Sequence, residues 1–294
     1  MLIVQKFGGS SLAGVERLRC AAAIISDCAM AGNDVVAVGS ARGNTTDELL
    51  ADAKRISSCP RARELDALLS TGETGSAAMT AMQLADMGHD SVSLSGAQAG
   101  IRTDSVHGQA RITGIDTGRI LRELCAGRIV IVAGFQGFGE NGDTTTLGRG
   151  GSDTTAVELA AALKADRCEI YSDVDGIYTA DPRLVTGAVR LDSIDYGDML
   201  HLALHGSQVL HSRSVAAAMR SGVRVHLLSS FTRREGTVMG FFSDRPELCG
   251  VTRDKARSTV SIVGRGADAN TLAEAVGILA HSDIIVTSTE LFDG

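Results

Sequence analysis

The sequence predicts an α/β protein in which helices cover a mostly parallel sheet. Two observations carry the prediction. Short β-branched runs alternate with longer apolar stretches of helical period, the pattern of repeated strand-helix units. Each short run also ends in a Gly-, Ser- or Asp-rich turn, where open α/β sheets place their ligand-binding loops. With 294 residues, the chain has room for two domains or for one large α/β unit with an appendage, at roughly 150 residues per domain.

The first strand is read at residues 2–6, a buried apolar run that leads into glycines. A helix follows at 14–31, then a strand at 34–38, where DVVAV is almost wholly apolar and rich in β-branched residues. The helix at 45–56 opens on two threonines, the one at 75–87 leads to a strand at 91–94, and the one at 116–126 opens on aspartate. IVIV forms the strand at 129–132, and Ser152 with Asp153 offers an N-cap to a helix at 152–163. Strands at 168–172 and 224–228 flank a serine-led helix at 212–221. Between 233 and 246 the periodicity breaks, which marks a linker. Beyond it, 250–262, a helix-like 270–280 and a β-rich 283–288 read as one strand-helix-strand unit. At about 45 residues it falls below the ~60 at which lone domains are marginal, so it is expected to dock on something larger.

Composition excludes several functions. Lys and Arg number 28 against 35 Asp and Glu, a net charge of −7 with no long block of like charge. This argues against a nucleic-acid groove and against a polybasic membrane patch. Mean hydropathy is only +0.11, and no segment approaches the ~20 apolar residues that span a bilayer. Three Tyr, seven Phe and no Trp leave little for stacking bases or sugar rings. The six cysteines form no CxxC pair, so reduced thiols in a cytoplasmic protein are expected.

Three clusters carry chemistry. KFGGSS at 6–11 ends the first strand, where Lys6 supplies a charge and glycines let backbone amides approach an anion. An ordinary tight turn accounts for it equally well, and no GxxxxGK[ST] loop occurs anywhere. TTTLGRGGSDTT at 144–155 sets Arg149 among glycines ahead of a helix, where a guanidinium fork can clamp a carboxylate or phosphate. A plain surface loop is the weaker reading. YSDVDGIYTADPR at 171–183 gathers carboxylates, tyrosines and an arginine after a strand, and could be a solvated loop only. GFGENG at 137–142 matches a dinucleotide fingerprint by chance, since it opens no helix. His201 and His205 lack the glutamate of a zinc-protease helix, so they read as helix-face histidines and no metal site is expected from them.

In this order the clusters resemble the amino acid kinase family, specifically the catalytic part of aspartate kinases, over about residues 2–240. The resemblance also rests on GNTTDEL at 43–49, TGE at 71–73 and VAGFQG at 132–137. It implies a three-layer α/β sandwich with a mostly parallel sheet at 1–240, and at 241–294 a truncated ACT-like βαβ appendage. It further implies transfer of the ATP γ-phosphoryl group to the side chain of L-aspartate or a related carboxylate, with ATP and Mg²⁺ as cofactors, in a cytoplasmic homo-oligomer. Lys6, Gly8, Gly9, Ser10 and Asp153 match the catalytic positions. Ser40, Thr46, Glu73, Phe135, Arg149, Gly150 and Ser152 match the acceptor pocket, with Glu73 on the substrate ammonium. Ser172, Asp173, Tyr178, Arg183 and Gln208 fall on the nucleotide side.

Three positions depart from the family pattern. Gln208 replaces a lysine that ordinarily contacts ATP phosphates, Thr74 stands where many relatives have arginine, and Arg42 stands in place of a methionine. Two rival readings therefore stay open. One is a kinase for another amino acid or dicarboxylate, which a panel of acceptors would separate. The other is a weakly active amino-acid or nucleotide sensor or subunit, against which the joint presence of Lys6, Glu73, Arg149 and Asp173 speaks. Half an ACT unit is expected to leave activity insensitive to lysine and threonine.

Overall fold

The computed structural model describes residues 1–232, 234–243, 248–254, 259–264, 266–281, 286 and 288–291. Its strands are β1 (Leu2–Phe7), β2 (Asp34–Gly39), β3 (Ser91–Leu94), β4 (Ile101–Thr103), β5 (Ile112–Ile115), β6 (Ile129–Ala133), β7 (Gln136–Phe138), β8 (Thr144–Thr146), β9 (Arg167–Ser172), β10 (Ser193–Asp195), β11 (Val225–Ser229), β12 (Thr237–Gly240), β13 (Gly250–Asp254) and β14 (Thr259–Val263). The helices are α1 (Gly14–Met30), α2 (Thr45–Ile56), α3 (Ala62–Asp86), α4 (Gly118–Cys125), α5 (Gly151–Leu163), α6 (Tyr196–Leu204), α7 (Ser212–Ser221) and α8 (Ala269–His281).

The main sheet runs β10-β12-β11-β9-β1-β2-β6-β3. Its pairs are parallel except β11 with β12. Because successive side chains of a strand point to opposite faces, β2 sends Val36 and Val38 into one core and Val35 and Ala37 into the other. The first core is closed by α4, α5 and α7 through Leu124, Leu159 and Val215, the second by α1 and α3 through Ile25 and Leu84. Two helical layers on one sheet make the expected three-layer sandwich. A second, four-stranded sheet, β5-β4-β7-β8, stands beside it.

Six expected strands and six expected helices occur, with differences that have causes. The helix expected at 75–87 begins at Ala62. Its buried face reads Asp66, Leu69, Ser70, Glu73, Ser76, Ala77, Thr80 and Leu84, a helical stripe too polar for hydrophobic periodicity to show. The strands of the second sheet are three or four residues each, too short to alternate visibly. Residues 233–246 are not simply a linker, because β12 lies within them and buries Thr237 and Met239 in the main sheet.

The C-terminal segment departs from strand-helix-strand. Residues 250–262 divide into β13 and β14, paired antiparallel from Gly250↔Val263 to Asp254↔Thr259, so a hairpin precedes α8. Most of the expected 283–288 strand lies outside the described residues. The hairpin docks on the main unit: the Val251 amide donates to the Thr179 carbonyl at 2.8 Å, and Cys249 and Val263 join the core that holds Tyr196, Met199 and Leu202. No described residue of α8 is fully buried.

Candidate active site

Alternation along β1 decides which way Lys6 points. Val4 belongs to the core under α5 and Phe7 to the opposite one, so Lys6 shares the Val4 face and meets α5. Its Nζ lies 2.5 Å from Asp153 Oδ1, with the two side chains only 10% and 14% exposed. Asp153 sits in the first turn of α5 and, with Ser152, does not cap it as expected. The N-cap is Gly150, at φ 71°. A Cβ at Gly150 would stand 2.2 Å from His211 Cβ, so both the conformation and the space demand glycine.

Gly8 and Gly9 shape the turn after β1 in different ways. The Gly8 amide donates to the Tyr171 carbonyl at 3.2 Å, so it is not offered to a ligand. A Cβ there would lie 3.5 Å from Lys6 Nζ, an ordinary van der Waals contact. The amides of Gly9 and Ser10 are the donors that remain in the turn. A Cβ at Gly9 would lie 2.7 Å from the Ala41 carbonyl oxygen, so the turn presses against the end of β2.

On the acceptor side, α3 carries Glu73, 3% exposed. Its Oε1 accepts the Ala41 amide at 3.2 Å, and Oε2 has no hydrogen-bond partner among the described residues. Burial pushes this carboxyl up to about 7. Ser40 leaves β2 with its amide on the Phe7 carbonyl at 3.1 Å, which holds the ends of β1 and β2 together, and Thr46 lies partly buried in the first turn of α2. Phe135 follows β6 at φ 66°, a strained conformation for a bulky residue. It is held there by its amide on Thr155 Oγ1 at 3.2 Å and by the absence of a side chain at Gly151, where a Cβ would lie 2.8 Å from the ring. Ser152 packs against Gly134, where a Cβ would lie 2.9 Å from its Oγ. Arg149 is exposed and makes no hydrogen bond or ion pair with the described residues. The carboxyl ends of β1, β2 and β6 and the start of α5 thus converge, as an open α/β sheet requires of a site.

The nucleotide-side residues are less gathered. Ser172 Oγ accepts the Val174 amide at 3.3 Å, and Asp173 is exposed. The hub of this loop is Asp175, which takes the Tyr178 hydroxyl on Oδ1 and Arg234 on Oδ2, each at 2.8 Å. Arg183 grips Asp181 with Nε and Nη2 at 3.0 and 2.9 Å, so its guanidinium is already engaged. Gln208 is exposed between α6 and α7, just ahead of the His211 that packs on Gly150. His201 and His205 stack at 6.3 Å on α6 and its C-cap, as helix-face histidines.

The two departures near the acceptor pocket are both engaged. Arg42 donates through Nε to the Leu12 carbonyl at 3.1 Å and lays Nη1 on Met79 Sδ. It lines a cleft of about 330 Å³ with Thr45, Leu49, Thr71 and Met79. Thr74 donates to the Ser70 carbonyl at 2.9 Å and receives Gln136 Nε2 at 3.4 Å.

A model describing the amino acid kinase family matches residues 1–229. The chain belongs to the amino acid kinase family. This amino acid kinase is 48% identical to the aspartokinase of Mycolicibacterium smegmatis over 269 residues, which are 90% of this chain and 64% of that one. It is 52% identical to the aspartokinase of Bacillus sp. strain MGA3 over 238 residues, 81% of this chain and 58% of that one. The chain thus spans less than two thirds of either relative. The structure of E. coli aspartokinase III in complex with aspartate and ADP matches with a TM-score of 0.77 at 26% identity, over 100% of this chain and 77% of that one.

Sequence reading gave no role to three residues around the candidate site of this amino acid kinase, one of them, Thr146, inside the 144–155 cluster. Arg213 reaches the carbonyls of Leu147 and Ala110 at 2.5 and 2.8 Å. Asp66 and Thr146 meet at 2.5 Å beneath the loop that carries Arg149. The signal for Asp66 is its place seven residues before Glu73, two turns back on one helix face.

Proposed function

We propose that the chain phosphorylates the side-chain carboxylate of L-aspartate with ATP, giving 4-phospho-L-aspartate and ADP. The observation that carries this reading is Glu73, a buried carboxyl with one oxygen unpartnered among the described residues and its pKa pushed up to about 7. Such a group favours its charged form once a cation arrives, and the ammonium of an amino acid supplies one. Arg149, exposed and without an ion pair among the described residues, suits the α-carboxylate as a bidentate fork. Phe135, Ser40, Thr46, Gly150 and Ser152 are assigned to the same acceptor pocket, and the sequence relatives are named aspartokinases.

In the transfer, an oxygen of the acceptor carboxylate attacks the γ-phosphorus. The bond to the bridging oxygen breaks, and its electron pair leaves with ADP. The acceptor is already ionised, so no proton has to move. Lys6 neutralises charge on the transferring group, and Asp153 holds its Nζ in place. The amides of Gly9 and Ser10 add donors where charge builds up. Among the described residues no group of three or more His, Cys, Asp or Glu could cage a metal. Mg²⁺ needs no such cluster, because it keeps waters and binds through phosphate oxygens and one or two carboxylates. Asp173 is the exposed carboxylate of the nucleotide-side loop and would hold the ion, which would supply charge neutralisation on the phosphates. Ser172, Tyr178 and Gln208 belong to the ATP side, and Arg183 joins them only by releasing Asp181. Residues 241–294 are assigned to an ACT-like segment, whose hairpin-then-helix order occurs inside a βαββαβ unit.

The test is coupled ADP release with L-aspartate, L-glutamate and succinate as acceptors. Turnover with aspartate well above the other two is expected. Turnover with succinate, which lacks the ammonium, equal to that with aspartate removes the role given to Glu73.

A further inference from the structure

The structure assigns to Asp66 the part of a positioning residue for Arg149, and the inference rests on the acceptor role proposed for Arg149. Asp66 is 1% exposed, on the same face of α3 as Glu73. Its Oδ1 accepts the Thr146 hydroxyl at 2.5 Å and the Gly108 amide at 3.1 Å. Its Oδ2 accepts the Thr146 amide at 3.1 Å and the Gly108 amide at 3.0 Å, and lies 2.8 Å from His107 Nδ1. The two segments it grips flank one loop. Thr146 ends β8, and the chain then runs through Leu147 and Gly148 to Arg149. Gly108 lies against that loop, since a Cβ at Gly148 would be 3.0 Å from its carbonyl oxygen. The Ala110 amide closes the base on the Thr146 carbonyl at 2.9 Å.

A buried carboxylate is a costly way to fill space, and an apolar side chain would pack there with less desolvation. What a carboxylate alone offers is two acceptor oxygens that can take several donors in fixed directions. Here those donors belong to the root of the Arg149 loop. Arg213 holds the opposite side through the Leu147 and Ala110 carbonyls. One helix therefore sets both charges that would recognise an amino acid. α3 carries Glu73 directly and fixes Arg149 through Asp66, so the spacing of the two is built into a single rigid element, and with it the length of acceptor accepted.

The experiment compares Asp66→Asn, Thr146→Val and Thr146→Ser with the unchanged chain, by steady-state kinetics and by hydrogen exchange of the peptide over 144–151. Asp66→Asn is expected to raise the aspartate KM tenfold or more while the ATP KM stays within twofold, and to speed exchange in 144–151. Thr146→Val moves the same quantities less, and Thr146→Ser, which keeps the hydroxyl, restores them. If Asp66→Asn does not fold, the Thr146 pair decides. Equal rises in both KM values, or unchanged exchange in 144–151, overturn the positioning role. If the unchanged chain releases no ADP with aspartate, the functional reading fails by itself, and the exchange measurement still decides whether Asp66 holds the loop.

Discussion

Lys6 and Asp153 face each other at 2.5 Å across the gap between the end of β1 and the first turn of α5. The carboxylate gains from the positive end of the α5 dipole, and the ammonium is pinned where a phosphoryl group would pass. Neither charge is well hydrated, so each depends on the other.

Lys6→Ala is expected to abolish turnover and also to destabilise the protein by about 3 kcal/mol, because it strands the buried Asp153 charge. The double variant Lys6→Ala with Asp153→Asn removes that charge. It should regain most of the lost thermal stability, read by calorimetry, and none of the turnover. A double variant that turns over normally would show the pair to be structural only.

Arg149→Lys keeps the charge and loses the planar fork. The aspartate KM should rise tenfold or more, about 1.4 kcal/mol, with a smaller change in the ATP KM. A rise confined to ATP would mean that Arg149 serves the nucleotide instead.

Glu73 makes the ligand-free protein pH-sensitive. Burial raises its carboxyl from 4.5 to about 7, so the folded state holds a proton that the unfolded chain releases. The stability this contributes is full below about 4.5 and is lost as the pH rises through about 7, a change on the order of 3 kcal/mol. Melting temperatures between pH 5 and pH 8 should therefore fall more steeply for the parent chain than for Glu73→Gln. Aspartate binding near pH 6 should release up to one proton from Glu73, visible in titration calorimetry as a heat that depends on the buffer. A heat independent of buffer would place the ammonium elsewhere.

Gln208→Lys supplies the missing cation at an exposed position three residues before the His211 that packs on Gly150. ATP binding should tighten by up to about tenfold, the ~1.4 kcal/mol within reach of one charge-assisted phosphate contact. Unchanged kinetics would show that this position does not reach the phosphates.

The central strands were legible because their signal is local. A run such as IVIV at 129–132 can only be satisfied by burial on both faces, and β6 forms there. The loops that carry Lys6 and Arg149 were legible for a related reason, since glycine turns at strand ends mark where a ligand can approach a backbone. The first half of α3 was not legible. Its inward face is lined by Asp66, Ser70 and Glu73, polar groups whose partners, Thr146 and Ala41 among them, come from distant parts of the chain.

By itself, then, the sequence determined the α/β class, the order of the main elements and the loops that carry charge, because periodicity and turn chemistry act over a few residues. The tertiary structure alone decided that Lys6 faces Asp153, that the Gly8 amide is taken by Tyr171, that Arg183 is engaged by Asp181, and that Asp66 grips the root of the Arg149 loop. Each of these depends on strand order and on which face of the pleat a side chain occupies. Those are settled only when the whole sheet packs between its two helical layers.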